Sequence, residues 1–367
     1  MEGNVGGVHL RRGEENRAAI DALDSLLDGR VGLRGLLTDL DRRASRVWTR
    51  PFWPPGRAVH RAFTWDRADR RTAQWWPQGV SSSADASGTE EVAGRRMLAV
   101  TWYAKDVGEG GQGSRVTFVD LQDRRYRHVL LVVPRLGRDG SVDLRPLRVH
   151  AGGLVWGGDY LHVAATARGF MTFRLDDLMR IPDERSGRAD AFGVDGDRVS
   201  SFGYRYLLPV RFAYQGLADE GHEKLRYSFL SLDRAASPPH LVAGEYATAS
   251  SGGTRRIAHY ALDPETLLLR AGEDGISRPL QLESEGVAHS QGAVVAEGSY
   301  YVSASAGRYR TGSIYVGRPG AFRRFSQVTP MGPEDISWWP STDELWSVTE
   351  HPGRRWVFCM KRSWFDG

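Results

Sequence analysis

Four segments of this chain open alike, and their recurrence limits the fold more than any other feature: Trp76-Pro77-Gln78-Gly79-Val80, His150-Ala151-Gly152-Gly153-Leu154, His289-Ser290-Gln291-Gly292-Ala293 and Gly332-Pro333-Glu334-Asp335-Ile336. Three are followed by a tight turn and a second apolar strand, at 160–163, 300–303 and 345–348, while the first reaches 97–100 through a longer loop. A unit that returns in this form, one small antiparallel sheet per copy, predicts a radial β-repeat. Each blade of such a ring packs only on its neighbours. A chain of 367 residues can therefore form one domain, although a single core stops growing at about 250 to 300 residues.

Grouped in fours, the strands are 79–83, 97–103, 115–121 and 126–133; 150–156, 160–166, 170–175 and 204–214; 226–232, 240–245, 254–261 and 278–282; and 289–295, 300–305, 313–316 and 322–328. A fifth group, 334–338, 344–349 and 355–361, is one strand short. The segment 59–65 is left to complete it as its outermost strand, pairing first with last and removing two exposed edges. The expected fold is all-β, a five-bladed β-propeller, with six blades as the alternative if 204–214 belongs to a blade of its own. Ala19, Ile20, Leu23, Leu26 and Leu27, then Leu33, Leu36, Leu37 and Leu40, recur at helical spacing. They predict a short N-terminal helical extension over 1–57, ended by Pro51, Pro54 and Pro55, with the propeller over 58–367.

Charge and composition narrow the function classes. The net charge is +4, but Lys105, Lys224 and Lys361 are the only lysines, and no stretch joins clustered basic residues to a helix or an aromatic RNA-binding motif. The arginine bias reads as a GC-rich genome, not a nucleic-acid surface. Cys359 stands alone, which leaves no intrachain disulfide and no cysteine-built metal site. No apolar run approaches the ~20 residues of a membrane span, and residues 1–12 lack the apolar core of a secretory signal. The expectation is a cytoplasmic protein with no nucleic-acid or membrane partner and no organic cofactor.

In a radial repeat the first strand of every blade lines the channel, and the loops entering it gather with those leaving the second strand at one end. Equivalent residues should therefore meet around one axis. The strand-one starts offer Gln78, His150, His289, Gln291, Glu334 and Asp335; the strand-two exits offer Tyr103, Lys105, Arg168, Glu245, Tyr246, Arg308, Glu350 and His351. Two imidazoles and a carboxylate on one rim suit proton transfer, so His150, His289 and Glu334 are the candidate catalytic residues and the others candidates for substrate binding. The same three would suit a divalent metal. Glu334, Asp335, Glu245 and Glu350 are alternative carboxyl pairs for glycoside hydrolysis. Gly79, Gly153 and Gly292 are read as structural, since first strands crowd at the axis.

The segments WWPQGVSSSADA, HAGGLVWGGDYLHVAATARGF, HSQGAV and GPEDISWWPSTDELWSVTEHPGRRWVF resemble a group of uncharacterised actinobacterial proteins often labelled secreted, over about 75–361. The resemblance implies no activity and no catalytic residue. It implies secretion as the alternative location, against a chain with no visible leader. The functional expectation is an enzyme of actinobacterial specialised metabolism acting on a small molecule by non-redox acid/base chemistry: cyclisation, isomerisation, elimination or hydrolysis. Its rivals are a non-catalytic propeller that binds glycans or a protein, and a glycoside hydrolase-like activity.

Overall fold

Apolar or alternating runs of four to eight residues, bounded by glycine-rich turns, form strands because each can bury a face against the next sheet. The computed structural model describes residues 5–47, 56–105 and 111–367, and it gathers the strands into five sheets of four or more plus a hairpin of Phe192–Asp195 with Arg198–Ser201. The inner strands are Trp75–Ser82, Leu154–Gly157, Phe229–Asp233, Ser290–Ala296 and Pro333–Trp339, each followed outward by its hairpin partner and a third strand.

These inner strands touch in a closed circle. A Cβ on Gly153 would lie 2.1 Å from the nitrogen of Leu230, and one on Gly292 would lie 2.6 Å from Cα of Asp335, so only glycine permits the approach. Ser231 Oγ donates to the carbonyl of Ala293 at 2.5 Å. The backbone N–H groups of Val80 and Leu154 both donate to one carboxylate oxygen of Asp335, each at 3.2 Å. The arrangement is a β-propeller, all-β with a few short helices. No helix among the described residues is long and apolar enough to cross a membrane.

The segment expected at 59–65 does complete the last sheet. Val59–Thr64 pairs antiparallel with Trp356–Lys361, placing Thr64 opposite Trp356 and Ala62 opposite Phe358. It is not outermost, because Ser45–Val47 adds a further strand beyond it. The expected strand 204–214 is two strands in two sheets: Tyr206–Pro209 runs parallel to Arg125–Leu136, and Phe212–Ala218 pairs antiparallel with Gly169–Arg174. Pro209 has no N–H to continue a ladder. Just beyond it, the Arg211 guanidinium turns inward to Glu15 and Asp177, which marks the crossing from one sheet to the next.

The N-terminal segment also differs from expectation. Val8 and Leu10 are fully buried because Val8–Arg12 is a strand paired with Phe212–Ala218, not part of a helical extension. The helices Arg17–Leu26 and Gly32–Leu37 follow it and bury Ile20, Leu23, Leu33 and Leu36 against the first two sheets. The prolines expected to end this hairpin lie outside the described residues.

Candidate active site

Three inner strands carry a β-bulge at the same end: between Pro77 and Val80, between Ser290 and Gly292, and between Pro333 and Ile336. A bulge adds a residue to one strand and re-aims its side chain. The bulged residues Gln78, Gln291 and Glu334 all line one cavity of about 440 Å³, together with His150, Gly152, Thr166, Arg226, Ser228, Tyr246 and Glu350. The site is thus assembled from residues as far apart as Gln78 and Glu350.

Two carboxyl groups face this cavity in different surroundings. Glu334 is 3% exposed, and the hydrogen-bond partner of its carboxyl among the described residues is Nε2 of Gln291 at 3.5 Å. Burial, then the charges of Glu350 and Asp335, raise its pKa well above the usual carboxyl range. Glu350 is also raised by burial, but Lys105, a hydrogen bond from Gln78 at 3.3 Å and Arg355 all pull it back down. The fully buried Arg355 binds the carbonyl of Glu350 through Nε at 2.7 Å and so fixes that turn. At neutral pH Glu334 keeps its proton more readily than Glu350. Environments that separate two carboxyls in this way define an acid and its partner.

The surrounding groups extend the site to the rim. His150 lies with its ring centroid 4.5 Å from that of Tyr103; desolvation and Lys105 lower its pKa, so it is neutral at pH 7. Burial raises the Tyr103 phenol, and the charges of Glu350 and Glu334 raise it further. Lys105 stands 3.2 Å over the ring of Trp76. Nδ1 of His351 lies 3.4 Å from Oε1 of Glu350, neither ring nitrogen makes a hydrogen bond among the described residues, and its pKa is lowered to about 4, chiefly by burial and then by Arg308, Arg354, Lys105 and Arg355. Tyr103, Lys105, His150, Thr166 and Arg168 also line an adjoining cavity of about 580 Å³.

The remaining expected residues play other parts. His289 does not line the main cavity, although its ring lies 6.3 Å from Tyr246, which does. Its backbone is left-handed (φ 61°), whereas His150 sits one residue before the left-handed Ala151, so the apparent equivalence of the two histidines breaks in the turn. Glu245 is buried in a chelate of Arg256 and the N–H groups of Arg226 and Arg256, and is structural. Asp335 is wholly buried and ties three inner strands together. Arg168 donates to the carbonyl of Arg148, and Arg308 stacks on Tyr309. His150, His289 and Glu334 do not form a metal-ligand cluster among the described residues.

Sequence reasoning missed Arg226 and Ser228, which lead into the inner strand Phe229–Asp233. Their sheet lacks the recurring opening motif; their place just before an inner strand was the available signal. Cys359 is buried beside Arg61 and Glu344, with its thiol pushed up to about 12 mainly by burial, which leaves it inert as a nucleophile.

No family model matches this chain, and no curated protein does. Solved structures similar to it include RS223-β-xylosidase, at 12% identity over 79% of this chain and 92% of that one with a TM-score of 0.38. A GH43_1 enzyme from Xanthomonas citri complexed with xylotriose matches at 12% identity, 80% and 90% coverage and a TM-score of 0.34. A thermostable family-43 glycoside hydrolase matches at 12% identity, 78% and 89% coverage and a TM-score of 0.33. The functional reading rests on the geometry of the cavity.

Proposed function

We propose that this protein is a five-bladed propeller hydrolase that cleaves a glycosidic bond at the mouth of its ring, with Glu334 as general acid and Glu350 as the ionised partner. The observation that carries the reading is the pair of carboxyls in one cavity, one desolvated without a cation and the other opposed by Lys105 and Arg355. Protonated Glu334 donates to the leaving oxygen. Ionised Glu350 stabilises positive charge developing on the sugar and accepts the proton released by the water that adds to it. Gln78, Gln291, Ser228, Arg226 and Tyr246 offer donors and acceptors suited to hydroxyl groups, and about 440 Å³ falls within the range of small-ligand sites. Short oligosaccharides and glycosylated small molecules are the substrates of this size and polarity.

The test is hydrolysis of a panel of aryl glycosides by the wild type and by Glu334→Gln and Glu350→Gln. Each substitution should lower turnover by roughly 100- to 10,000-fold, the usual contribution of positioned proton transfer. The Glu334→Gln loss should be smaller for substrates with good leaving groups, which need less protonation. Full activity in Glu334→Gln would remove the acid. Binding of the glycosides without turnover in the wild type would instead assign a glycan-binding propeller.

A further inference from the structure

The ring carries a second cluster of chemistry-bearing side chains well away from the cavity. Asp233 ends the inner strand Phe229–Asp233, and His240 begins His240–Gly244 directly opposite it across the hairpin. His259, in Ile257–Ala261, is opposite Val242 and hence diagonal to His240 on the same sheet face. One ligand atom from each of the three lies within 4.8 Å of the others. Ser228 lines the cavity and precedes the strand that Asp233 ends, so five residues of extended chain place the cluster roughly 16 Å from it.

Ordinary structural duties leave much of this cluster unused. One oxygen of Asp233 accepts from the N–H groups of Ala235 and Ala236, which fixes the carboxylate; the other takes no hydrogen bond among the described residues. His240 makes none through either ring nitrogen among the described residues, and its ring lies 5.6 Å from that of His259. His259 is 4% exposed and holds the Tyr300 hydroxyl of the next sheet at 2.5 Å through Nε2. An imidazole tied at one nitrogen by an outer partner and free at the other is the arrangement found around bound metals.

We propose that Asp233, His240 and His259 form a site for one divalent first-row transition cation, with Tyr300 as the outer partner that orients His259. Ligands about 2.0 to 2.2 Å from a tetrahedral ion lie roughly 3.4 Å apart, which small side-chain rotations reach from the separations present. Two imidazoles and one carboxylate select zinc, iron or cobalt over calcium or magnesium, which prefer all-oxygen sets. The three ligands come from three adjacent strands of one sheet, and Tyr300 comes from its neighbour. The bound ion would therefore pin the seam between the third and fourth sheets.

The experiment uses the full chain without a polyhistidine tag, stripped with chelator and titrated with Zn²⁺ by calorimetry and with Co²⁺ by its visible absorption. The wild type should bind one equivalent of each. Asp233→Asn keeps an oxygen for Ala235 and Ala236, and His240→Gln alters a partly exposed side chain, so both should fold; each should weaken binding by about 100-fold or more. Tyr300→Phe should weaken it about 10-fold, as loss of an outer partner does. His289→Gln, at the other end of the ring, should leave it unchanged. The proposal is overturned if the folded wild type binds no stoichiometric metal, if His240→Gln binds as tightly as the wild type, or if His289→Gln abolishes binding. None of these outcomes bears on glycoside hydrolysis, which is read separately.

Discussion

At the scale of single residues, Asp69 gathers partners from several elements. Its buried carboxylate accepts from the Tyr126 hydroxyl at 2.7 Å, His128 Nε2 at 2.8 Å, Arg115 at 3.0 Å and Arg42 at 3.2 Å. Burial alone would raise its pKa, but His128, Arg115 and Arg42 together outweigh burial and hold it well below the carboxylate range. Arg115, itself 3% exposed between the rings of Trp75 and Trp102, has no other carboxylate partner among the described residues. Asp69→Asn strands that guanidinium and should cost about 3 to 5 kcal/mol in denaturant unfolding, the usual penalty for breaking a buried pair. A loss below about 1 kcal/mol would mean that water reaches Arg115. Nothing in the sequence singled out Asp69, because its partners come from strands distant in the chain. Glu334 and Glu350 were legible for the opposite reason: each follows a recognisable strand boundary of the repeat.

Strand order was largely readable because the repeat fixes where each sheet begins, and even the third sheet, with no opening motif, was placed within a few residues. Two kinds of element escaped. The β-bulges that turn Gln78, Gln291 and Glu334 into the cavity depend on backbone register, which residue type does not reveal. The strand Val8–Arg12 is too short to stand out, with only Val8 and Leu10 as its buried face. The N-terminal strands added to these sheets have a consequence at this scale. A chain beginning at residue 70 lacks Val8–Arg12, Ser45–Val47 and Val59–Thr64, which exposes the edge of Trp356–Lys361 and uncovers Phe358 and Met360. It should lose cooperative unfolding, seen as a broad thermal transition by circular dichroism. A transition as sharp and as high as that of the full chain would show that the ring closes without its N-terminal strands.

The whole ring responds to pH through two opposed sets of carboxyls. Glu334, Asp335, Glu350 and Asp85, all near the channel, have pKa values raised chiefly by burial. The folded state keeps these protons after the unfolded chain has released its own, so it binds more protons and loses stability as pH climbs above the ordinary carboxyl range. Asp69, Glu245 and Glu344 are set the other way: burial opposes ionisation, but His128, Arg115 and Arg42 at Asp69, Arg256 at Glu245 and Arg61 at Glu344 prevail and hold them low. Their contribution is present above the unfolded pKa of about 4 and is lost as pH falls through the lower folded values. Burial also lowers His128, His162, His259 and His351 to about 4, so between there and about 6.5 the unfolded chain binds more protons than the fold and stability from this source rises with pH. Above that range the raised carboxyls alone remain, and stability should decline toward pH 8. Glu334→Gln isolates one member of the first set, since an amide fills the same space and has no proton to release. Its melting temperature should exceed that of the wild type at pH 8, with the gap closing at pH 5, while turnover is lost at both. Equal melting temperatures at pH 8 would mean that Glu334 ionises freely in the fold, and the acid role would fall with its desolvation. The chemistry and its cost share one cause: the packing of inner strands that closes the ring also desolvates Glu334, and with the charges of Glu350 and Asp335 this keeps a proton on it.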